Sequence, residues 1–218
     1  LLTKVAVIII FAGSLLISCK DKNSQTKQVE EKDSLTIKIE QLDWKIKEDS
    51  KNADLYYQRA KLLLDKGQVS KAFIDISEAM ELDTKNLEYY ITLSDIYRAM
   101  GDYQKASHAA SRVTVSEPNN ATAFLKLGEI HLLIQDYQRA FLNINHSIEI
   151  EQNNPKAYFA RALALLEIED TTNAVIALRV AVDYDPDFFE AYYNLAHVHA
   201  IRHDRLAIDY AQAAIDLK

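Results

Sequence analysis

Residues 87–120 decide the fold, and they read LEYYITLSDIYRAMGDYQKASHAASRVTVSEPNN. Apolar side chains recur at helical spacing on both sides of Gly101, and Pro118 lies near the end of the stretch. Glycine permits a tight turn with positive φ, and proline disfavours helix in the residue before it. The pattern therefore predicts two short helices joined by a tight turn and closed by a loop.

The same pattern returns along the chain with a period of 34 residues. Rows of this length begin at residues 53, 87, 121, 155 and 189. The fourth position of each row is aromatic: Tyr56, Tyr90, Phe124, Tyr158 and Tyr192. The eighth position is small: Ala60, Ser94, Gly128, Ala162 and Ala196. The twentieth position is alanine in four rows: Ala72, Ala106, Ala140 and Ala174. Small residues at these positions would let the two helices of a row approach closely.

A 34-residue period with aromatic, small, alanine and proline positions resembles the tetratricopeptide repeat, a helix–turn–helix unit. The resemblance implies an all-α fold, in which helical hairpins stack because one hairpin cannot bury its apolar face alone. We expect a right-handed α-solenoid of five units, at residues 53–86, 87–120, 121–154, 155–188 and 189–218.

Some rows depart from the pattern. Gly67 and Gly101 stand at the turn of the first two rows, but Gln135 and Glu169 stand there in the next two. The fifth row is one residue short, because its matching alanine is Ala207. We expect this deletion to tighten or distort the last turn.

A lone helix is predicted before the first row, in residues 33–49. Its apolar residues recur at helical spacing: Leu35, Ile39, Leu42 and Ile46. Asp33 or Ser34 can serve as its N-cap. We expect this helix to cap the first row. Trp44 could stack on a ligand, but we expect it to lie over the junction with the first row.

The chain begins with LLTKVAVIIIFAGSLLISC, in which Lys4 is followed by an apolar run, Val5–Ile17, that is too short to cross a bilayer about 30 Å thick as a helix. The run is typical of a signal peptide, here residues 1–18. Its end resembles a bacterial lipobox, which implies that Cys19 is acylated and becomes the mature terminus. The alternative is a buried cysteine in an ordinary signal sequence. Residues 19–32 are polar from Lys20 onward and are predicted to be a flexible tether. These features predict a lipid-anchored protein of the bacterial cell envelope, at the outer membrane facing the periplasm.

The charge balance limits the partners. The formal net charge is −7, and nucleic acid needs a basic stripe, so no nucleic-acid partner is expected. One cysteine allows no internal disulfide.

The first helix of each row should line the concave face of the solenoid, as the resemblance implies. Its exposed positions form an apolar stripe with scattered charges, which suits an extended peptide or an amphipathic helix of a partner protein. The alternative is that these side chains cover one another in a narrow groove. The stripe consists of Tyr57, Lys61, Leu64, Ile91, Asp95, Arg98, Leu125, Glu129, Leu132, Phe159, Leu163, Leu166, Tyr193 and His197.

No catalytic chemistry is predicted. His199 and His203 have the i, i+4 spacing of metal ligands, and His197 is near. However, His199 shares its row position with His131, which favours a packing role. The sequence contains no glycine-rich phosphate loop and no nucleophile elbow. We therefore expect no cofactor, no metal and no enzyme activity.

These features together predict a membrane-anchored scaffold that holds a protein partner, similar to repeat lipoproteins that assist cell-envelope assembly. One alternative is the repeat part of a larger enzyme complex, and another is a purely structural homo-oligomer. Repeat arrays usually finish with an extra helix that shields the last apolar face, and no such helix follows the fifth row in this sequence. Either the sequence is truncated or another surface covers that end; for a complete chain we expect self-association through the last row.

Overall fold

The computed structural model describes residues 33–218, and each regular element in that range is an α-helix. The predicted signal peptide, Cys19 and the tether lie outside the described residues. The helices are α1 (Ser34–Glu48), α2 (Ala53–Asp65), α3 (Val69–Leu82), α4 (Glu88–Ala99), α5 (Tyr103–Ser116), α6 (Ala121–Leu133), α7 (Tyr137–Ile150), α8 (Pro155–Glu167), α9 (Thr171–Tyr184), α10 (Phe189–Ile201) and α11 (Leu206–Asp216). Among them, no helix combines the length and the hydropathy that crossing a membrane requires.

The helices stack in sequence order. Within each row the first helix packs on the second, and the second packs on the first helix of the next row. First helices also contact one another across rows, α2 with α4, α4 with α6 and α6 with α8, whereas second helices of residues 33–218 show no comparable contact. The first helices therefore lie on the inner side of a curved array. The predicted α-solenoid of helical hairpins is confirmed.

Close packing inside each row occurs at the two small positions. A Cβ on Gly128 would lie 2.4 Å from Cγ1 of Ile144 and 3.3 Å from the carbonyl oxygen of Ala140. In the second row the Ser94 hydroxyl donates a hydrogen bond to the carbonyl oxygen of Ala106 over 2.9 Å. Positions 8 and 20 thus face each other across the hairpin, as their small size predicts.

The turn inside each hairpin has one backbone geometry in all five rows. Position 15 has positive φ whether it is glycine or not: Gly67 73°, Gly101 78°, Gln135 62°, Glu169 63° and His203 55°. The next backbone N–H donates to a carbonyl five residues earlier, for example from Asp136 to His131 over 2.9 Å. This hydrogen bond closes the end of the first helix and offsets the strain of a left-handed non-glycine residue.

Aspartates start most of the second helices. Asp102, Asp136 and Asp170 each accept a hydrogen bond from a backbone N–H three residues on, over 3.1 Å. Gln68 takes this place in the first row and makes no such bond. The first row therefore lacks a cap that the middle rows have.

Helix α1 covers the first row as predicted. Leu42 and Ile46 are buried, and Asp33 is the N-cap because its side chain accepts from the Leu35 N–H over 3.1 Å. The guanidinium of Arg59 on α2 binds Asp43 of α1 at 2.7 Å. The expectation that Trp44 lies over the junction is wrong, since its position on the outer face of α1 leaves it 61% exposed.

Arg59 also ties the cap to α3. Its guanidinium donates two hydrogen bonds to the buried Asp75, both 2.6 Å long. These carboxylates raise the pKa of Arg59, so the guanidinium stays charged and links three helices.

We expected the short fifth row to tighten or distort its last turn. The turn is not tighter, but the start of α11 is altered, because Asp204 accepts from the backbone N–H of Leu206, two residues on, and not three residues on as in the middle rows. Four residues separate α10 from α11, whereas three separate the helices of the other hairpins. The missing residue falls between Asp204 and Ala207, so the buried Ala214 of α11 lies one row position earlier than Ala181 does in the fourth row. The buried face is kept by a shift in register.

Candidate partner-binding groove

The inner surface formed by α2, α4, α6, α8 and α10 is called the concave groove below. Row positions 5, 9 and 12 lie three and four residues apart, so they share one face of each first helix. Most of the predicted site residues are partly exposed there: Tyr57, Lys61, Leu64, Asp95, Arg98, Glu129, Leu132, Phe159, Leu163, Leu166, Tyr193 and His197. The interpretation of two others as exposed groove residues is wrong. Ile91 and Leu125 are only 7% and 5% exposed, because they pack between neighbouring helices.

A cluster of paired charges occupies the groove between the second and third rows. The Lys126 ammonium lies 2.9 Å from Oδ1 of Asp95 and 3.6 Å from Oε2 of Glu129. Arg98 lies 3.5 Å from the same oxygen of Asp95. Burial lowers the pKa of Lys126, but Glu129 and Asp95 outweigh it and raise the pKa above its ordinary value. The cluster is balanced in charge and joins α4 to α6.

Sequence reasoning missed Lys126 as part of this cluster. The signal was present, because position 9 of one row and position 6 of the next are Asp95 and Lys126. First helices of adjacent rows touch, so these two positions meet across the groove. Opposite charges in this register predict a bridge between rows.

Beyond the charge cluster the groove becomes apolar. In the fourth row, positions 5, 9 and 12 are Phe159, Leu163 and Leu166, all half-buried. The Phe159 ring packs on Phe188, with ring centroids 5.0 Å apart. Leu132 of the third row continues this patch, which is called the apolar segment below. A side chain that covered it would remove apolar surface from water.

Aromatic residues stand at both ends of the groove. Tyr57 packs on Tyr89 with ring centroids 5.1 Å apart, and the Lys61 ammonium lies 5.3 Å from the Tyr57 centroid. At the other end Tyr193 is 43% exposed and stacks near Phe189. Such rings supply contact area together with a polar tip.

The histidines of the last row are not arranged as metal ligands. His199 is buried, stacks on Tyr210 and places Nδ1 2.9 Å from Oδ2 of Asp204. His203 is exposed in the left-handed turn. No cluster of three possible ligands occurs within the part of the chain that the structure describes. His131 likewise packs in the core, where Nδ1 lies 3.2 Å from the Asn143 amide nitrogen.

The fold and the groove define the class of protein. It is an α-solenoid of helical hairpins, which is an interaction scaffold. Comparison with protein families identifies the tetratricopeptide repeat at residues 91–143, and a second model of the same repeat matches residues 53–86 and 155–188. These matches together take in more than half of the chain. The chain belongs to the tetratricopeptide repeat family, whose fold implies a protein or peptide partner.

Solved structures of other proteins share this fold. MamA residues 41 to the end from Desulfovibrio magneticus RS-1 has 22% identity and a TM-score of 0.60, and the match covers 76% of this chain and 94% of that one. TTC0263 from Thermus thermophilus, a thermophilic repeat protein, has 18% identity and a TM-score of 0.66, covering 73% and 88%. YrrB, described as having an unusual peptide-binding site, has 22% identity and a TM-score of 0.54, covering 83% and 93%. Comparison with curated protein sequences gives no match.

Proposed function

We propose that this chain is an adaptor that holds a segment of a partner protein in the concave groove. The observation that carries the proposal is the apolar segment at Phe159, Leu163 and Leu166 of α8, which follows the paired charges of Asp95 and Lys126 along the groove, because α8 contacts α6 and α6 contacts α4. Apolar surface next to fixed polar groups is the usual arrangement of a peptide site, in which the apolar part supplies affinity and the polar part sets orientation.

The continuous course of the groove across several rows favours a partner segment that is long and narrow. First helices of neighbouring rows are in contact, so the groove runs across several rows rather than closing into a pocket. An extended peptide or an amphipathic helix with apolar residues on one side fits such a surface. We infer that its apolar residues lie on the fourth row and its charged residues lie near Asp95, Arg98, Lys126 and Glu129. We assign no catalytic step to the chain.

We propose further that the adaptor acts at a bacterial membrane, anchored through acylated Cys19 and facing the periplasm at the outer membrane. The support is the apolar start of the sequence and the lipobox-like end at residues 16–19. Each buried methylene of an acyl chain adds about 0.8 kcal/mol, so two or more chains would hold the protein at the surface stably. Labelling with a radioactive fatty acid tests the anchor: Cys19→Ser is expected to abolish the label, and a label that persisted would refute it.

Partner capture by a matched pair of variants tests the groove. Leu163→Glu adds a charge to the apolar segment, whereas Leu142→Glu adds the same charge at a leucine of α7 that is 66% exposed outside the groove. We expect recovery of a partner from an extract of the source cells to fall at least tenfold for Leu163→Glu only. Equal recovery by both variants, with unchanged melting temperatures, would refute the groove as the docking surface.

A further inference from the structure

Three aliphatic side chains are exposed along one edge of the array. They stand at row position 14, directly before the left-handed turn residue, in three consecutive rows: Met100 is 44% exposed, Ile134 is 46% exposed and Ile168 is 48% exposed. At this position each first helix ends and the second is about to begin, and this side of the array is called the turn edge below. A single exposed aliphatic residue is ordinary, but its repetition at one position of successive rows indicates a surface.

Two further row positions complete the turn edge. Position 17 is tyrosine in the second and third rows, and both Tyr103 and Tyr137 are partly exposed. Position 19 is an exposed cation in the first three rows: Lys71, Lys105 and Arg139. Aliphatic side chains beside tyrosines and long cationic side chains are typical of protein surfaces at the boundary between lipid and water, because the rings and stems are apolar and the tips are polar.

Contacts between rows make the turn edge continuous. Arg202, at position 14 of the fifth row, donates a hydrogen bond to the hydroxyl of Thr171, at position 17 of the fourth row. The Tyr137 hydroxyl, at position 17 of the third row, donates to Oε2 of Glu167, at position 13 of the fourth row, over 3.2 Å. By the same register each exposed aliphatic residue of the turn edge lies beside position 17 of the row before it.

The chain enters the array at this same edge. Asp33 is the N-cap of α1, and the Lys66 ammonium of the first turn lies 3.9 Å from its Oδ2. Lys66 also donates to the hydroxyl of Thr36, in the first turn of α1. Thirteen residues separate Asp33 from Cys19, so even a fully extended chain spans at most about 50 Å there. An anchor at Cys19 therefore keeps the array close to lipid, and it connects to the array at the turn edge.

The charge distribution favours the turn edge over the opposite edge, where second helices end and the next first helices begin. Counted over each connection with three flanking residues on either side, the formal charge is zero for the five turns and −9 for the five connections on the opposite edge. On the turn edge, Asp102 and Asp136 are each paired with the cation three residues on, at 2.7 Å and 3.5 Å. A membrane surface that contains anionic lipid repels the opposite edge more strongly.

We propose that the turn edge lies against the surface of a lipid bilayer, with Met100 and Ile134 at the centre of the contact. Ile168 lies at its margin, because Glu167 and Glu169 on either side of it make the fourth turn the most acidic of the five. The inference rests on the proposed acyl anchor at Cys19. A few side chains bind lipid weakly, and the anchor makes the contact effective because it raises the local concentration of lipid.

This orientation determines how the concave groove is presented. The first helices run from the turn edge to the opposite edge and have 12 or 13 residues, so they are about 20 Å long. The groove crosses these helices, and it therefore runs along the membrane, within about 20 Å of the lipid surface. A partner segment bound there lies parallel to the bilayer.

Quenching of tryptophan fluorescence by brominated lipid tests the contact. The full chain is reconstituted in vesicles of phosphatidylethanolamine and phosphatidylglycerol, with or without bromine on the acyl chains near the head groups. Trp44→Phe removes the one natural tryptophan, and Ile134→Trp then places a reporter on the turn edge. Val115→Trp is the control near the opposite edge, where Val115 is 81% exposed, and Leu142→Trp is the control on the outer face of α7.

We expect brominated lipid to lower the emission from residue 134 about twofold or more, because a ring at the interface touches the acyl chains. The emission from residues 115 and 142 should stay nearly unchanged. Quenching at either control as strong as at residue 134, or at none of the three positions, would overturn the proposal. Flotation of the vesicles tests the anchor separately. A chain that floats without quenching keeps the anchor and loses the contact, whereas a chain that does not float refutes both.

Charged substitutions then test whether the natural aliphatic residues cause the contact. Met100→Glu and Ile168→Glu, added together to Ile134→Trp, should remove most of the quenching, because two carboxylates would face the lipid surface. Ile74→Glu and Ile176→Glu add the same charges at exposed isoleucines on the outer faces of α3 and α9, and they should leave the quenching unchanged. Circular dichroism checks that every variant is folded. Equal quenching in the two double variants would overturn the role of the turn edge.

Discussion

The close packing at Gly128 determines whether replacing this glycine by alanine stabilises or destabilises the protein, so this substitution tests the structure. Gly128→Ala would place a Cβ 2.4 Å from Cγ1 of Ile144 and 3.2 Å from its backbone nitrogen. These distances are far below ordinary contact, so one of the two helices of the third row must shift or Ile144 must move. We expect the variant to be less stable than the natural protein.

The magnitude follows from two opposing effects. Replacing glycine by alanine inside a helix gains about 1 kcal/mol from helix propensity. Overpacking a core costs about 1–3 kcal/mol. The upper end applies here, because Ile144 is fully buried and its β-branched side chain has little rotamer freedom. The net loss should be about 1–2 kcal/mol, which lowers the melting temperature of a chain of this size by about 2–8 °C.

A double-mutant cycle with Ile144→Ala isolates the clash. That change removes Cγ1 and should reduce the cost of Gly128→Ala by about 1 kcal/mol or more. Urea unfolding followed by circular dichroism measures all four variants. Ala162→Gly is the control in the fourth row, where alanine already fits, and it should destabilise by about 1 kcal/mol. A stabilised Gly128→Ala, or additive effects in the cycle, would refute the packing described between α6 and α7.

Three further changes test local features. Gln68→Asp should stabilise the first row by about 1 kcal/mol in urea unfolding, because Gln68 has nearly the backbone angles of the capping Asp102 and makes no cap bond; no gain would show that the caps of the middle rows are incidental. Gln135→Gly should stabilise the protein by about 0.5–1 kcal/mol, because a φ of 62° strains glutamine and suits glycine. Calorimetry measures the melting temperature, and a lower value for the variant would contradict this prediction. Burial lowers the pKa of His131 in the folded chain, so its unfolded form binds more protons and stability should fall as pH drops below about 6.5. His131→Gln should reduce this dependence of the unfolding free energy on pH, measured from about pH 8 to 5. An unchanged dependence would show that other groups cause it.

The 34-residue period of the sequence predicted most of the fold. Small residues at two row positions and an aromatic residue at a third predicted hairpins that stack, because these sizes are set by how closely helices approach. The period also aligned Gln135 and Glu169 with the glycines of the first two turns. It did not show that non-glycine residues would keep the left-handed geometry there, since hydrogen bonds at the helix end, rather than local preference, hold them.

The groove was less predictable than the stack. Ile91 and Leu125 share a row position with the partly exposed Phe159 and Tyr193, and sequence alone did not distinguish the buried members from the exposed ones. Their exposure depends on how neighbouring first helices approach, which is a property of the assembled array. Trp44 shows the opposite error, because a large apolar residue was expected to be covered and is not.

Photo-crosslinking in the source cells tests the groove as a docking surface most directly. A photoreactive phenylalanine analogue placed at residue 163 of the full chain lies in the apolar segment, and the same analogue at residue 142 lies on the exposed surface of α7. We expect a discrete crosslinked partner from residue 163 and none from residue 142. Crosslinks from residue 142 alone, or the same products from both positions, would contradict it.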